Sequence, residues 1–402
     1  MPLVGADRRV AGDYRTVDRG HETDRGQSQL DQHLPSEFDP IAGQLNWTGG
    51  RPLVFRFQKG ESMAATRIGL MGFGRIGRNV VRLVHNRDDL EVVAISDIAD
   101  PEALTYLLKY DSIYGRFPAP TSYADGKLTF GSKHAAFLNA KEPGDANWGE
   151  LGVDVVLETT SRYRSKESLD RHLAAGAKKV VLTSSPETPG EIPLLLRGIN
   201  DEILGPDTNQ VALGSNTSNA VAPILCIIDE KFGVKRAFMT TVKAMSNAGR
   251  LADVPTDSYR TSRAAGENII PAVTNTAEIL TQVLPQLEGK LAVVALNVPV
   301  VDGSTVDLTT ETNVDSTVEE VNAAVAAEVE ARFQGLIEYV ADPIVSSDVR
   351  LNSHSGVFDS LATMVTMGSL VKTITWFNNG WGYSHRAVEV TTTIAGYLDG
   401  GH

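Results

Sequence analysis

The sequence predicts an α/β protein with two folded domains, and three observations support this prediction. The chain has 402 residues, of which 42% are hydrophobic, so it is long enough to form two sizeable cores. From Thr66 onward, predicted strands and helices alternate, which is typical of a parallel sheet with right-handed crossovers. After Ser218 a helix is followed by long strands, which indicates an α+β domain with a mainly antiparallel sheet.

The first part of the chain, residues 1–62, has a different composition from the rest. It is rich in Arg, Asp, Gly and Gln and shows no apolar period of 2 or 3.6 residues. Such a segment buries too little apolar surface to offset the entropy of ordering it. We therefore expect a polar, disordered extension. Met63 is an alternative start, because folded character begins abruptly at ATRIGLMGFGRIG.

Residues 63–217 are predicted to form the first domain. Its elements are, in order, a strand RIGLMGFG, a helix GRNVVRLVHNR, a strand LEVVAISD, a helix DPEALTYLLKYDS, a strand VDVVLETT, a helix KESLDRHLAAGAK, and the strands KKVVLTSS and QVALGSNT. The second of these helices has an acidic cap followed by Pro101, a combination that favours a helix start.

Residues 218–383 are predicted to form the second domain. A helix from Ala220 to Phe232 opens it, and a long helix TVEEVNAAVAAEVEARF interrupts its strands. The strands are RAFMTTVKAM, KLAVVALNVPV, STVDLTTETN and LVKTITWFNN. A last helix, SHRAVEVTTTIAGYL, lies within residues 384–402, which we group with the first domain.

Charge and composition exclude several kinds of partner. The formal net charge of −13 argues against a nucleic-acid or anionic membrane surface, since both would be repelled. No run reaches the roughly 18 consecutive apolar residues that a membrane span needs, and no apolar secretory segment is present at the N-terminus. No Cys, His and carboxylate cluster has metal-ligand spacing. We expect a cytoplasmic protein without a metal.

Three glycines lie between the first predicted strand and helix in the pattern GxGxxG, namely Gly72, Gly74 and Gly77. The first permits a tight turn, the second lets a pyrophosphate approach the backbone, and the third allows close helix–strand packing. The helix N-terminus then offers N–H groups to the phosphates. Asp97 ends the next strand, where a carboxylate accepts ribose hydroxyls and repels a 2′-phosphate. The sequence therefore predicts a site for NAD rather than NADP.

From about Ile68 to the C-terminus, the sequence resembles the glyceraldehyde-3-phosphate dehydrogenase family. The matching stretches are GFGRIGR, KYDSIYGRF, GVKRAFMTTV, ENIIP, STVDLT and WFNNGWGYSHRAV. The resemblance implies a Rossmann NAD domain, a catalytic domain, a last helix that folds back onto the first domain, and a homotetramer. It also implies a set of cofactor contacts, which are Arg75, Ile76, Thr160, Thr183, Asn379 and Tyr383.

The resemblance breaks at the residues that carry the family's chemistry. That chemistry uses a cysteine thiolate, which attacks an aldehyde, and a histidine, which lowers the thiol pKa and takes the proton. The family motif S-N-A-S-C-T-T-N-C-L-A-P corresponds here to SNTSNAVAP, which lacks the cysteine and its neighbours. Asn219 is closest to the vacated position, and Lys243 stands where the histidine would follow T-T-V.

Two replacements for the missing groups can be considered. Cys226, the only cysteine, lies about 10 Å further along the predicted helix among apolar neighbours, so we interpret it as a core residue. Lys243 has two open roles. Its ammonium could stabilise an oxyanion or act as an acid or base, or it could be a strand lysine that fills the vacated space.

The positions that bind phosphate in the family are altered as well. Asn297 stands where an arginine is expected, and Arg263 lies near another lost arginine in the loop before ENIIP. Hydroxyl positions of the two anion sites are matched by Ser218, Ser246 and Thr274. Hydroxyls and amides do not replace the bidentate contact of an arginine guanidinium with phosphate. The substrate is therefore less anionic than a triose phosphate, or it is held by other groups. Arg162 is one such candidate, or a solvated surface residue.

Two functions remain open. The first is an altered enzyme that transfers hydride between nicotinamide and a small carbonyl or alcohol, with Lys243, Asn219 and Ser218 at the reacting group. In a variant of this hypothesis, a nicotinamide dinucleotide derivative is itself the substrate. The alternative is an NAD-binding pseudoenzyme with a regulatory or assembly role. Ordinary phosphorylating dehydrogenation is predicted to be absent.

Overall fold

The computed structural model of the protein describes residues 65–398. The predicted extension, residues 1–62, lies outside the described residues, as do the chain positions on either side of this range. No helix of the described part is long and apolar enough to cross a membrane.

The first half of the described chain alternates strands with helices. Its strands are β1 (Thr66–Met71), β2 (Leu90–Ser96), β3 (Tyr110–Asp111), β4 (Gly115–Arg116), β5 (Thr121–Ala124), β6 (Lys127–Phe130), β7 (Lys133–Leu138), β8 (Val155–Glu158), β9 (Lys179–Leu182) and β10 (Gln210–Ala212). Its helices are α1 (Arg75–Val84), α2 (Pro101–Lys109) and α3 (Lys166–Ala174).

Eight of these strands form one sheet in the order β10-β9-β8-β1-β2-β7-β6-β5. The neighbours from β10 to β7 are parallel, whereas β6 pairs antiparallel with both β7 and β5. The central strands are covered on both faces, which is why Leu70 and Met71 of β1, whose side chains point to opposite faces, are both buried. The expected α/β fold with a parallel sheet is confirmed, with an antiparallel hairpin at its edge.

The second half contains the longer strands. They are β11 (Val234–Lys243), β12 (Ile270–Ala272), β13 (Leu291–Asn297), β14 (Ser304–Thr312), β15 (Ile337–Val340), β16 (Gly356–Thr366) and β17 (Leu370–Phe377). The helices are α4 (Asn216–Phe232), α5 (Thr276–Val283), α6 (Val318–Ala331) and α7 (Trp381–Gly396).

These strands form a second sheet in the order β12-β13-β11-β14-β17-β16-β15. Its pairs are antiparallel except β11 with β13 and β15 with β16, so the expected mainly antiparallel sheet is confirmed. Helices α4 and α6 cover one face, and residues such as Ile224, Val325 and Phe358 form their common core.

Helix α7 returns to the first sheet after the second one is complete. Its buried residues Ala387, Val390 and Ile394 belong to the same core cluster as Val80 of α1 and Ile68 of β1. This packing places the start of α7 beside the start of α1. Both helix starts therefore contribute to one site.

Candidate functional site

A cavity of about 380 Å³ lies where several parallel strands end; we call it the main pocket. Ligands of open α/β sheets bind in such a crevice, outside the carboxyl ends of the strands. Its lining residues are mostly polar, and they are Arg75, Ile76, Ser161, Arg164, Thr183, Ser184, Ser185, Gly214, Ser215, Asn216, Ser246, Asn247, Asn275, Asn379 and Tyr383.

The glycine loop between β1 and α1 borders this pocket and has the geometry that the motif requires. Gly72 has φ = 96°, which favours glycine. A Cβ atom on Gly77 would lie 2.5 Å from the carbonyl oxygen of Gly72, so this position tolerates no side chain. A Cβ on Gly74 would meet no described atom within 4 Å. Gly74 caps α1 without a side-chain hydrogen bond, which leaves N–H groups of the first turn available to an anion.

Asp97 holds the glycine loop in place. Its Oδ2 accepts a hydrogen bond of 2.7 Å from the Phe73 amide, and its Oδ1 accepts one of 2.9 Å from the Ala99 amide. The carboxylate is half-buried at the end of β2, and each of its oxygens has further acceptor capacity. The position is compatible with the predicted contact to ribose hydroxyls.

A buried hydrogen-bond network supports the loop after β8. The indole of Trp148 donates to Nδ1 of His172 across 3.0 Å, so the imidazole proton is on Nε2, which donates to Glu158 across 3.2 Å. The other oxygen of Glu158 accepts the amide of Thr160 at 2.8 Å. Thr160 does not line the main pocket itself, but the next residue, Ser161, does so with φ = 58°.

Helix α4 begins at Asn216, earlier than the predicted Ala220, because a capping box fixes its first turn. The Ser218 amide donates to Oγ of Ser215, and the Ser215 amide donates to Oγ of Ser218. Ser218 is fully buried. Asn219 is 6% exposed, and its Nδ2 donates to the carbonyls of Leu213 and Ser215. Both side chains therefore bond the helix start, and neither lines the main pocket.

Lys243 ends β11 and pairs in register with Asn297 of β13. It is half-buried, and no hydrogen bond or ion pair joins its ammonium to another residue between 65 and 398. Burial lowers the pKa of this ammonium below its usual value. Lys243 does not line the main pocket, although Ser246, a few residues further on, does. Ser246 and Asn297 also line a small adjoining cavity of about 60 Å³.

The other predicted substrate contacts lie in different places. Arg263 is exposed and pairs with Asp253 at 3.0 Å. Thr274 shares a hydrogen bond of 2.7 Å with Thr276, whereas its neighbour Asn275 reaches the main pocket. Arg162 is exposed with its guanidinium over the ring of Tyr163, outside the pocket lining. The structure thus brings Ser246 to the main pocket and places these three side chains elsewhere.

The start of α7 contributes the predicted Asn379 and Tyr383, both of which line the main pocket. The Tyr383 hydroxyl donates to the carbonyl of Gly214 across 2.8 Å, and burial raises the pKa of this phenol. The Asn379 side-chain oxygen accepts from Ser304, and its carbonyl oxygen accepts from Asn216. These bonds tie the loop before α4 to α7.

Cys226 lies inside the second core, 6% exposed, and is not part of the pocket lining. Its thiol donates to Glu230 across 3.1 Å, and a guanidinium nitrogen of Arg332 lies 3.4 Å from the sulfur. Burial, followed by the Glu230 carboxylate, raises the pKa of this thiol to about 12. The interpretation as a core residue agrees with this environment.

Sequence reasoning missed several pocket residues, above all Arg164, Ser184 and Asn216. The available signal was position, because Ser184 and Asn216 lie at the carboxyl ends of predicted strands and Arg164 lies four residues after the end of another. The direction in which each loop turns was not available from the sequence.

Comparisons with known proteins match stretches in both halves of the described chain. The family model for the glyceraldehyde 3-phosphate dehydrogenase NAD binding domain matches residues 66–166, and that for the C-terminal domain matches residues 215–379. The chain is 41% identical over 332 residues to glyceraldehyde-3-phosphate dehydrogenase of Geobacillus stearothermophilus, covering 82% of this chain and 98% of that protein. It is 42% identical over 335 residues to that of Streptomyces coelicolor, covering 83% and 99%.

Proposed function

The chain belongs to the glyceraldehyde-3-phosphate dehydrogenase family, and we propose that it is an NAD-dependent oxidoreductase that reacts without a thioester. The observation that carries this proposal is the position of its only cysteine. Cys226 lies about 15 Å along α4 from the helix start that borders the pocket, inside a core, and its thiol pKa is raised to about 12. A thiol in this environment does not form the thiolate that acyl transfer needs.

The cofactor is NAD, and the residues present fit it. The open space at Gly74 and the uncapped first turn of α1 suit a pyrophosphate, and Asp97 disfavours a 2′-phosphate. Arg75, Ile76, Thr183, Asn379 and Tyr383 line the same pocket. When bound, NAD would supply the hydride acceptor.

The residues of this chain would then bind the substrate and move one proton. Interconversion of a carbonyl and an alcohol needs only a group that exchanges a proton with the substrate oxygen. We assign this role to Lys243, which lies outside the main pocket lining but pairs in register with Asn297 of the small adjoining cavity, so its side chain would have to turn toward the bound substrate. Its lowered pKa brings its neutral form closer to ordinary pH. Ser246, Asn275 and Asn216 would orient the substrate through hydroxyl and amide groups. A nicotinamide dinucleotide derivative bound in the same pocket is a second substrate class for this site.

One observation favours the alternative, an NAD-binding protein without a reaction. Ser218 and Asn219 are committed to the start of α4, and Lys243 does not line the main pocket, so the three predicted reacting groups are not assembled there. Such a protein would act through regulation or assembly. In either case we propose a cytoplasmic homotetramer, in line with the resemblance to the family.

Turnover distinguishes these two functions. The purified protein with NAD is assayed for NADH formation against alcohols, aldehydes and phosphosugars, in parallel with a Lys243→Ala variant. NADH formation that is lost in the variant, while NAD affinity is unchanged, supports the enzyme. NAD binding without turnover on any substrate supports the pseudoenzyme, and a normal rate with glyceraldehyde 3-phosphate contradicts both.

A further inference from the structure

The main pocket contains two arginines and no acidic side chain among its described lining residues. Neither Arg75 nor Arg164 forms an ion pair with another residue between 65 and 398. A buried or half-buried cation is normally paired with a carboxylate of the protein. Arg75 still acts on a carboxylate at longer range, because its charge opposes the rise that burial causes in the pKa of Asp302. Arg164 is therefore the guanidinium that the pocket leaves for a ligand to neutralise.

The two arginines come from different elements. Arg75 is the first residue of α1, directly after the glycine loop, and so belongs to the pyrophosphate end of the site. Arg164 lies on the loop between β8 and α3 and is held there by two hydrogen bonds. Its carbonyl accepts the Glu187 amide at 3.0 Å, and one guanidinium nitrogen donates to the Ser185 carbonyl at 3.5 Å. A guanidinium has five N–H donors, so most remain for a ligand.

The other anion-binding feature at this pocket is already occupied by the protein itself. In the first turn of α4, the Ser218 amide binds Ser215 Oγ, and the Thr217 amide binds Asn216 Oδ1. Helix α4 therefore offers few free N–H groups to an anion. Beyond the cofactor contacts, Arg164 is the pocket's remaining cation among residues 65–398.

We propose that Arg164 binds a carboxylate of the substrate, so that this protein acts on a small carboxylic acid that also carries a carbonyl or alcohol. This inference deepens the proposed function and rests on it. A single guanidinium matches the two oxygens and the single charge of a carboxylate. A phosphate monoester carries up to two charges and would meet only one cation here. Ser184 and Ser185, whose carbonyl holds the Arg164 guanidinium, line the same pocket.

The experiment measures binding, so that it does not depend on turnover. The NADH-loaded protein is titrated by calorimetry with glycerate, glycerol 3-phosphate and glycerol, which share a three-carbon backbone and differ in the charged group. Glycerate is expected to bind most tightly. Loss of a charge-assisted bidentate contact in Arg164→Gln should weaken glycerate binding by about 10- to 100-fold, with a smaller loss in Arg164→Lys.

Two further variants locate the effect. Arg171→Gln changes an exposed arginine of α3 that pairs with Glu167, and it should leave glycerate binding and NADH binding unchanged. The proposal is wrong if Arg162→Gln causes the larger loss, if Arg164→Gln has no effect, if glycerol 3-phosphate binds more tightly than glycerate, or if neither anion binds the wild-type protein. If glycerate binds through Arg164 but no substrate is turned over, only the proposed function fails.

Discussion

The thiol of Cys226 donates a hydrogen bond across 3.1 Å to Glu230, one turn further along α4. Both residues belong to the helix whose first turn borders the main pocket, yet Cys226 packs in the second core and Glu230 is exposed at its edge. The thiol therefore lies away from the pocket that we propose binds the cofactor.

The environment of Cys226 predicts a thiol that reacts slowly with alkylating reagents. With a pKa of about 12, only on the order of one thiol in ten thousand is ionised near pH 8. The native protein should therefore react with iodoacetamide at least about 100-fold more slowly than a free thiol, as followed by mass spectrometry. The same protein in urea should react at an ordinary rate, and fast alkylation of the native protein would contradict the buried position.

The glycine loop predicts that affinity and stability respond separately to two substitutions. Gly77→Ala places a Cβ 2.5 Å from the Gly72 carbonyl and should lower both the melting temperature and NADH affinity. Gly74→Ala places a Cβ in open space, so the melting temperature should stay within about 2 °C of wild type. NADH affinity should still fall, because the new methyl group stands where the pyrophosphate approaches. Unchanged NADH affinity in Gly74→Ala would contradict the proposed cofactor position.

Lys243 predicts a pH dependence of stability. Burial lowers the pKa of the Lys243 ammonium in the folded protein below its unfolded value of 10.5. At a pH below this lowered pKa, Lys243 is charged in both states, and its buried charge carries a free-energy penalty that destabilises the folded state. This penalty disappears as the pH rises toward about 10.5, since the unfolded state then loses its proton as well. Lys243→Met should therefore raise the melting temperature near neutral pH, by about 2 °C, with a gain that shrinks at higher pH.

Thermal unfolding between about pH 6 and 10 checks this prediction within the ordinary range of Lys titration. The matched variant is Lys372→Met, because Lys372 pairs with Asp307 at 2.7 Å. Lys372→Met should not raise the melting temperature at neutral pH. A lower melting temperature for Lys243→Met at every pH would mean that the ammonium has a stabilising partner.

The hydrogen bonds of Glu158 to His172 and Thr160 predict that the buried network affects both stability and cofactor binding. In Glu158→Gln one carboxylate oxygen becomes an NH₂ group, which faces a donor of either Thr160 or His172. The lost bond should cost about 1–3 kcal/mol of stability, and the loosened loop should weaken NADH binding. Calorimetric unfolding and an NADH titration measure the two effects. Glu150→Gln, on the surface, should change neither, and a wild-type melting temperature for Glu158→Gln would exclude the network's role.

Periodicity in the sequence predicted most of the architecture, because the elements are long and the glycine and capping signals are local. Pro101 and its cap Asp100 start α2 as expected, with the Asp100 carboxylate accepting the Ala103 amide. The predicted helix at Ala220 began too late, since the capping box between Ser215 and Ser218 depends on two side chains meeting. The hairpin at the edge of the first sheet and strand β16 were not predicted.

The candidate site was only partly predictable because loop direction decides which side chains enter a pocket. Arg162 and Arg164 are two residues apart, and the sequence favoured the first. Ser161 between β8 and these arginines has φ = 58°, and the Arg162 amide bonds back to the Thr160 hydroxyl at 3.0 Å. This turn directs Arg164 into the pocket and Arg162 to the surface, a choice that periodicity does not reveal.

The most direct test of a thiol-independent site is the intact mass of the protein after reaction. The protein is mixed with NAD and glyceraldehyde 3-phosphate in the absence of phosphate, so that any acyl-enzyme would accumulate, and is then quenched in acid. We predict an unchanged mass. A covalent adduct that disappears in the Cys226→Ser variant would show that sulfur chemistry operates here and would contradict the account.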